Sequence, residues 1–172
     1  AFRHADVPHG PRESPETNAM TRIISIVLAA VAAGFMASAA AAADVKSLFT
    51  PEVFKALAMQ ESGGEKNPDQ AVGDNGRSLG RYQIQKGYWT DACRQNPSLA
   101  KRGFEAVKDP RYAEEVIIAY AELYAPKGAT LEDVIRNHNG GPKGYCRTGT
   151  LRYWGEVSHK IEKIKKKKGV KQ

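Results

Sequence analysis

The sequence predicts a mainly helical α+β domain with one small β-hairpin. Apolar residues recur at helical spacing in five segments, and several of these segments open with a Thr-Pro, Asp-Pro or lone Thr signal for a helix start. A single stretch dense in Gly, Asn and Asp, from 65 to 81, interrupts the helical pattern. With 172 residues and 41% hydrophobic content, the chain can bury one core, and no internal repeat is visible.

The first helix is predicted to begin after Thr50, with Pro51 at its first position, and to end near Ser62 where glycines follow. Its apolar stripe consists of Val53, Phe54, Leu57 and Ala58. Glu61 then lies at the C-terminal end of the helix, where the macrodipole disfavours a carboxylate. This placement favours a raised pKa for Glu61, with burial the stronger influence.

The turn-rich stretch is predicted to form a short hairpin that leads into the segment "RYQI". Tyr82 and Ile84 alternate with polar neighbours, so we expect a strand of a few residues there. Asp74 precedes this strand, inside the turn-rich stretch.

Four further helices are predicted. One begins around Trp89, one follows Asp109-Pro110, one runs from a Thr130 cap to Gly140, and one starts at Thr148 or Thr150 and runs through Ile164. The lysine run at 163–168 is expected to be a solvated, fraying helix end.

The N-terminal part is not expected to fold with the domain. Residues 1–19 are interpreted as a disordered leader or a mis-called start, and residues 20–43 as a signal peptide that ends in an A-x-A cleavage site. An uncleaved membrane anchor is the alternative, since the run from 23 to 43 nearly reaches bilayer length. The predicted organisation is then a domain at 44–162 and a basic tail at 163–172, in a secreted or periplasmic protein.

The charge of the chain points to an anionic partner. The net charge is +7, which suits a bacterial cell wall, an acidic glycan or a membrane surface. Because the secretion signal argues against nucleic acid, we expect no nucleic-acid partner and no stable membrane association after cleavage. The protein is expected to be a monomer.

Two cysteines, Cys93 and Cys146, allow one disulfide in an oxidising compartment, and two free thiols are the alternative. Two cysteines and four scattered histidines do not match a familiar metal-site spacing, so no metal or other cofactor is expected.

Glu61 and Asp74 are the candidate catalytic pair. Glycoside hydrolysis needs one carboxylic acid that is still protonated near neutral pH and commonly a second carboxylate that is ionised. A Glu at the end of an apolar helix and an Asp in a polar hairpin would supply these two environments. On spacing alone, two surface carboxylates around a loop are the simpler explanation of the pattern.

Four blocks in order, "QESGG", "GDNGRSLGRYQIQKGYW", "RNHNGGPKG" and "TLRYWGEV", resemble the invertebrate-type lysozymes, the group that includes destabilase. The similarity runs from about Leu57 to about Trp154. "ESGG" is shared with lytic transglycosylases and goose-type lysozymes, whereas "HNGGPKG" together with "YQI" and "YW" is much more specific. The resemblance implies a lysozyme-like helical domain with a β-hairpin lining the active-site cleft, and a bacteriolytic enzyme that cleaves the glycan strands of peptidoglycan between N-acetylmuramic acid and N-acetylglucosamine.

The resemblance also implies roles for individual residues. Glu61 matches the general acid of the family and Asp74 matches its second carboxylate. The segment from Ser78 to Ile84 would line the sugar cleft, with Tyr82 and Gln83 near the substrate. On the far side of that cleft the resemblance places His138 and Asn139, although hydrogen bonds that hold a helix end and turn explain His138 more simply.

The sequence departs from the family pattern in two respects. It has far fewer cysteines, which indicates a divergent branch, and the gap from Glu61 to Asp74 is one residue longer than expected. A lytic transglycosylase that uses Glu61 alone is therefore one alternative. A non-catalytic cationic protein that binds the cell wall is the other.

Overall fold

The computed structural model describes residues 45–63 and 65–169, so the leader and the signal peptide predicted at 1–43 lie outside the described residues. The described chain is mainly helical with a small antiparallel sheet, which confirms the predicted fold class. The helices are α1 (Pro51–Glu61), α2 (Lys86–Gln95), α3 (Pro110–Tyr124), α4 (Leu131–Gly140) and α5 (Leu151–Gly169). The strands are β1 (Val72–Gly73), β2 (Ser78–Leu79) and β3 (Ile84–Gln85). No helix in the described part is long and apolar enough to cross a membrane.

The helix starts follow the local signals in the sequence. Pro51 opens α1 directly after Thr50. At the start of α3, the Asp109 side chain accepts a hydrogen bond from the backbone N–H of Arg111. Thr130 and Asp133 form a reciprocal capping box at the start of α4, which satisfies backbone donors that the helix leaves open.

The sheet has three strands of two residues each, in the order β1-β2-β3. Leu79 pairs with Val72 on one side and with Ile84 on the other. The predicted strand through Tyr82 is wrong, because the chain reverses direction between β2 and β3 and Tyr82 lies in that turn. Gly80 makes the turn possible: its φ is +74°, and a Cβ there would lie 2.6 Å from the carbonyl oxygen of Val107.

The core lies between the helices, with α3 packed against α2 and α5 packed against α1. Its fully buried side chains include Leu57, Val116, Ile117, Ile135 and Val157. The C-terminal end of α1 is thereby fixed against α5, which is the feature that positions Glu61.

The lysine run is helical as far as Gly169. α5 continues through Gly169, past the predicted domain end at residue 162. Val157, Ile161 and Ile164 are all buried, and their spacing of three to four residues places them on one face of α5. This apolar face holds the helix against α1, while cations in the last turn are favourable to the helix dipole.

The predicted disulfide is absent, because Cys93 and Cys146 are both free. Cys93 is half-buried on α2, where its surroundings include Tyr112 of α3. Cys146 is exposed in a 3₁₀ turn that packs on α4, beside Tyr145. A disulfide needs closely apposed Cβ atoms, and these two helical segments place the cysteines in separate surroundings.

Candidate active site

A cleft of about 300 Å³ lies between the C-terminal end of α1, the small sheet and the C-terminal end of α4. It brings together every residue that the sequence analysis proposed for catalysis or substrate binding. These are Glu61, Asp74, Ser78, Tyr82, Gln83, His138 and Asn139.

Glu61 is the last residue of α1 and is largely enclosed. The hydroxyl of Tyr153, on α5, donates a hydrogen bond to its Oε1. Burial raises the pKa of Glu61, and the negative charge of Asp74 adds to the rise, while the hydrogen bond from Tyr153 opposes it. The net direction is upward, which favours the protonated carboxyl.

Asp74 occupies the opposite kind of environment. It is exposed, and its Oδ2 accepts hydrogen bonds from Ser78 Oγ at 2.6 Å and from Gln85 Nε2 at 3.1 Å. These hydrogen bonds lower the pKa of Asp74, with the bond from Ser78 first. Its backbone has φ of +49°, a left-handed conformation that Asp tolerates better than most residues. Ser78 itself is buried, so its hydroxyl is committed to orienting this carboxylate.

His138 lies on α4 in the wall of the cleft. Its Nδ1 is hydrogen-bonded to the Tyr88 hydroxyl at 3.1 Å, and its Nε2 is 4.0 Å from Glu61 Oε1. Burial lowers the pKa of His138 to about 4, so the ring is neutral at higher pH. Asn139, the next residue, is exposed at the cleft.

Tyr82 and Gln83 form a structural part of the cleft wall. The Tyr82 hydroxyl donates to Glu114 Oε1 at 2.8 Å, and Gln83 Nε2 donates to the carbonyl oxygen of Gly80 at 2.9 Å. Tyr82 is buried, with 2% of its surface exposed. Its hydroxyl is therefore already used in a hydrogen bond within the protein.

Sequence reasoning missed two residues that complete the site: Gln85 and Tyr153. Tyr153 lies in the "TLRYWGEV" block, 92 residues from Glu61, and nothing in local periodicity reveals a contact over that separation. Gln85 could have been recognised as a partner of Asp74 once the hairpin was paired. It lies opposite Ser78 in the sheet, and Ser78 donates a hydrogen bond to Asp74.

The arrangement offers one carboxyl that holds its proton and one carboxylate that stays ionised, around a shared cleft. Among residues 45–63 and 65–169, no group of His, Cys, Asp and Glu side chains is placed to hold a metal ion. Glycoside hydrolases use a site of this kind, in which two carboxyl groups lie in opposite environments.

The chain belongs to the destabilase family, whose model matches residues 51–160. This confirms the family that the four sequence blocks indicate. The match includes both carboxylates and Tyr153.

Relatives of this chain are named as lysozymes. The chain is 38% identical to a lysozyme of Ostrea edulis over 49% of this chain and 63% of that protein. It is 36% identical to a lysozyme of Magallana gigas over 46% of this chain and 58% of that protein. An invertebrate-type lysozyme of Ruditapes philippinarum is 30% identical over 64% of this chain and 78% of that protein. The first two alignments thus span about three fifths of the relatives' length.

Among solved structures, the lysozyme of Tapes japonica aligns with a TM-score of 0.49 and 26% identity. The alignment covers 64% of this chain and 89% of that one.

Proposed function

We propose that this protein is a secreted lysozyme that hydrolyses the β-1,4 bond between N-acetylmuramic acid and N-acetylglucosamine in peptidoglycan. The observation that carries the proposal is the contrast between Glu61, whose pKa burial raises, and Asp74, whose pKa hydrogen bonds lower, in one cleft. The names of the relatives support the reaction and the substrate class. Secretion follows from the signal-peptide pattern at residues 20–43.

Glu61 acts as the general acid. Tyr153 donates to Oε1, so Oε2 is the oxygen left to carry the transferable proton. That proton passes to the glycosidic oxygen as the bond to the anomeric carbon breaks, and the sugar develops oxocarbenium character. Desolvation makes this step possible at pH values where an exposed Glu would already be ionised.

Asp74 stabilises or traps the developing positive charge. Hydrogen bonds from Ser78 and Gln85 to the same oxygen, Oδ2, hold the carboxylate in place and leave Oδ1 for the sugar. His138 adds no charge that would oppose this, because its ring is neutral above a pH of about 4. Hydrogen-bonding side chains at the cleft, among them Asn139, are available to the substituents of the sugar.

The decisive experiment is mass spectrometry of the fragments released from purified peptidoglycan by the parent and by Glu61→Gln. We expect reducing-end N-acetylmuramic acid from the parent and a loss of about 10²- to 10⁴-fold in rate for Glu61→Gln, since general acid catalysis contributes that factor. Glu105→Gln is the matched control, because Glu105 is exposed and lies outside the cleft. Asp74→Asn should also lose most of its activity.

Two outcomes would change the assignment. Anhydro-sugar ends would make the protein a lytic transglycosylase and remove Asp74 from the mechanism. If the parent releases nothing while a known lysozyme does, the hydrolase proposal fails.

A further inference from the structure

A second groove, which we call the lysine groove, lies between α1 and α5 and has a volume of about 850 Å³. It shares no residue with the carboxylate cleft. Its lining contains six lysines, one glutamate and three apolar residues. They are Lys55, Lys160, Lys163, Lys166, Lys167, Lys168, Glu52, Pro51, Met59 and Ile164.

Most of the net charge of the protein is concentrated here. Residues 159–169 contain six lysines and one glutamate, which is +5 of the formal +7 of the whole chain. Lys168 pairs with Glu52, and Lys160 donates to Gln60 Oε1 at 2.6 Å. Within the described residues, Lys55, Lys163, Lys166 and Lys167 make no ion pair. Four cationic groups of the groove are therefore available to an anion.

Stabilisation of the helix end does not account for this arrangement. The helix dipole favours cations only within the last turn of α5, so it covers Lys166–Lys168 and not Lys160 or Lys163. Lys163 and Lys167 are four residues apart, a spacing at which like charges destabilise a helix. Lys55 belongs to α1 and adds a further cation from the other wall. The helix dipole therefore does not explain the lysines outside the last turn.

The shape and lining of the lysine groove discriminate among anionic ligands. Insertion of α5 into an anionic bilayer would require an exposed apolar helix face, but the apolar face of α5 is buried against α1, with Ile164 only 8% exposed. Single-stranded nucleic acid would require aromatic side chains for base stacking, and the lining contains none. Lys160, Lys163 and Lys167 follow one another along about 10 Å of helix, which suits a ligand with several negative charges in a row.

We propose that the lysine groove binds a linear phosphodiester polymer of the bacterial wall, a chain of polyol phosphate units. Successive phosphates pair with the four available lysines, Lys163, Lys166 and Lys167 from α5 and Lys55 from α1. The carbon chain between phosphates lies on the floor formed by Pro51, Met59 and Ile164. Met59 is 46% exposed, which leaves its side chain accessible to such a contact. The inference does not depend on the proposed hydrolase activity, since it concerns binding at different residues.

The test measures binding of synthetic poly(glycerol phosphate) to the full chain by calorimetry, at low and at physiological ionic strength. The groove variant is Lys163→Gln/Lys166→Gln/Lys167→Gln. We expect its Kd to rise about tenfold relative to the parent, and to depend less on salt, because three ion pairs are lost. A tenfold change corresponds to about 1.4 kcal/mol.

The matched control removes the same charge elsewhere: Lys101→Gln/Lys127→Gln/Lys165→Gln. These three lysines are exposed and do not line the groove, and Lys165 lies on α5 itself. We expect the control to change Kd less than about threefold, since its lost charges act only through screened, longer-range attraction. Equal weakening by the two variants would show that net charge alone drives binding and would overturn the proposal.

A second variant tests the floor without removing any lysine. Met59→Glu places a carboxylate in the groove at an exposed position that the fold tolerates, and it should weaken polymer binding at least as much as the loss of one lysine. Unchanged binding in Met59→Glu and in the groove variant would refute the site. Tighter binding of anionic phospholipid vesicles or of duplex DNA, with the same dependence on the groove lysines, would refute the choice of ligand.

Discussion

Replacing Tyr153 with Phe isolates the group that controls the proton of Glu61. The substitution removes one hydroxyl and keeps the ring, so the packing of α5 against α1 is preserved. In the parent, that hydroxyl donates to Glu61 Oε1 and opposes the effect of burial on the Glu61 pKa. Its loss should therefore raise the pKa of Glu61 further.

The magnitude follows from the difference between two hydrogen bonds. A hydrogen bond to an ionised group contributes about 1.5 to 3 kcal/mol, and one to a neutral group about 0.5 to 1.5 kcal/mol. Tyr153 thus stabilises ionised Glu61 over neutral Glu61 by roughly 1 to 1.5 kcal/mol. Removing it should change the ratio of neutral to ionised carboxyl by about tenfold in favour of the neutral form.

The assay is the pH dependence of kcat/KM on a soluble peptidoglycan fragment. If Glu61 is the acid, the alkaline limb for Tyr153→Phe should move to higher pH, and activity on that limb, relative to the maximum, should rise about tenfold. Tyr145→Phe is the control, because this substitution also removes one tyrosine hydroxyl and Tyr145 does not line the cleft. An alkaline limb that stays in place or moves to lower pH would refute the role assigned to Tyr153.

Three further predictions concern stability and redox state. Burial lowers the pKa of His138 to about 4 from an unfolded value of about 6.5, so the unfolded chain binds more protons than the folded chain between these pH values. The free energy of unfolding should therefore fall by about 3 kcal/mol as the pH drops through this window. Denaturant titrations of the His138→Gln variant should lack this fall. Gly144→Ala should destabilise the fold by about 3 kcal/mol, because the new Cβ would lie 2.1 Å from the carbonyl oxygen of Arg136; a melting temperature within a degree or two of the parent would contradict this packing. Thiol titration of the denatured, unreduced protein should count two thiols, from Cys93 and Cys146, and a count of zero would restore the disulfide.

The helices were predictable because their signals are local. Thr130 with Asp133, Asp109 with Pro110, and the glycines after Glu61 determine where helices begin and end without reference to the rest of the fold. Glu61 was therefore placed at a helix end from the sequence alone. The hairpin was predicted to exist, but its strands are only two residues long, too short for alternation to show that Tyr82 lies in a turn.

The site was predictable only through the family blocks. Spacing alone did not distinguish Glu61 and Asp74 from surface carboxylates, and their opposed environments come from burial and hydrogen bonds that depend on tertiary structure. Tyr153 belongs to a distant helix and was not recognised as a partner of Glu61. The last helix was predicted as far as Ile164, and the lysines at its end were expected to fray because their charge is the only local signal there.

α5 carries both the hydroxyl that bonds Glu61 and the row of lysines. Tyr153 and Lys163 are ten residues apart, which is about 15 Å along a continuous helix. A polymer held at the lysines is thus kept at a fixed separation from Glu61, since a helix is a rigid spacer and a flexible linker is not. Bound wall polymer would raise the effective concentration of glycan near the cleft, and the length of one helix would determine by how much.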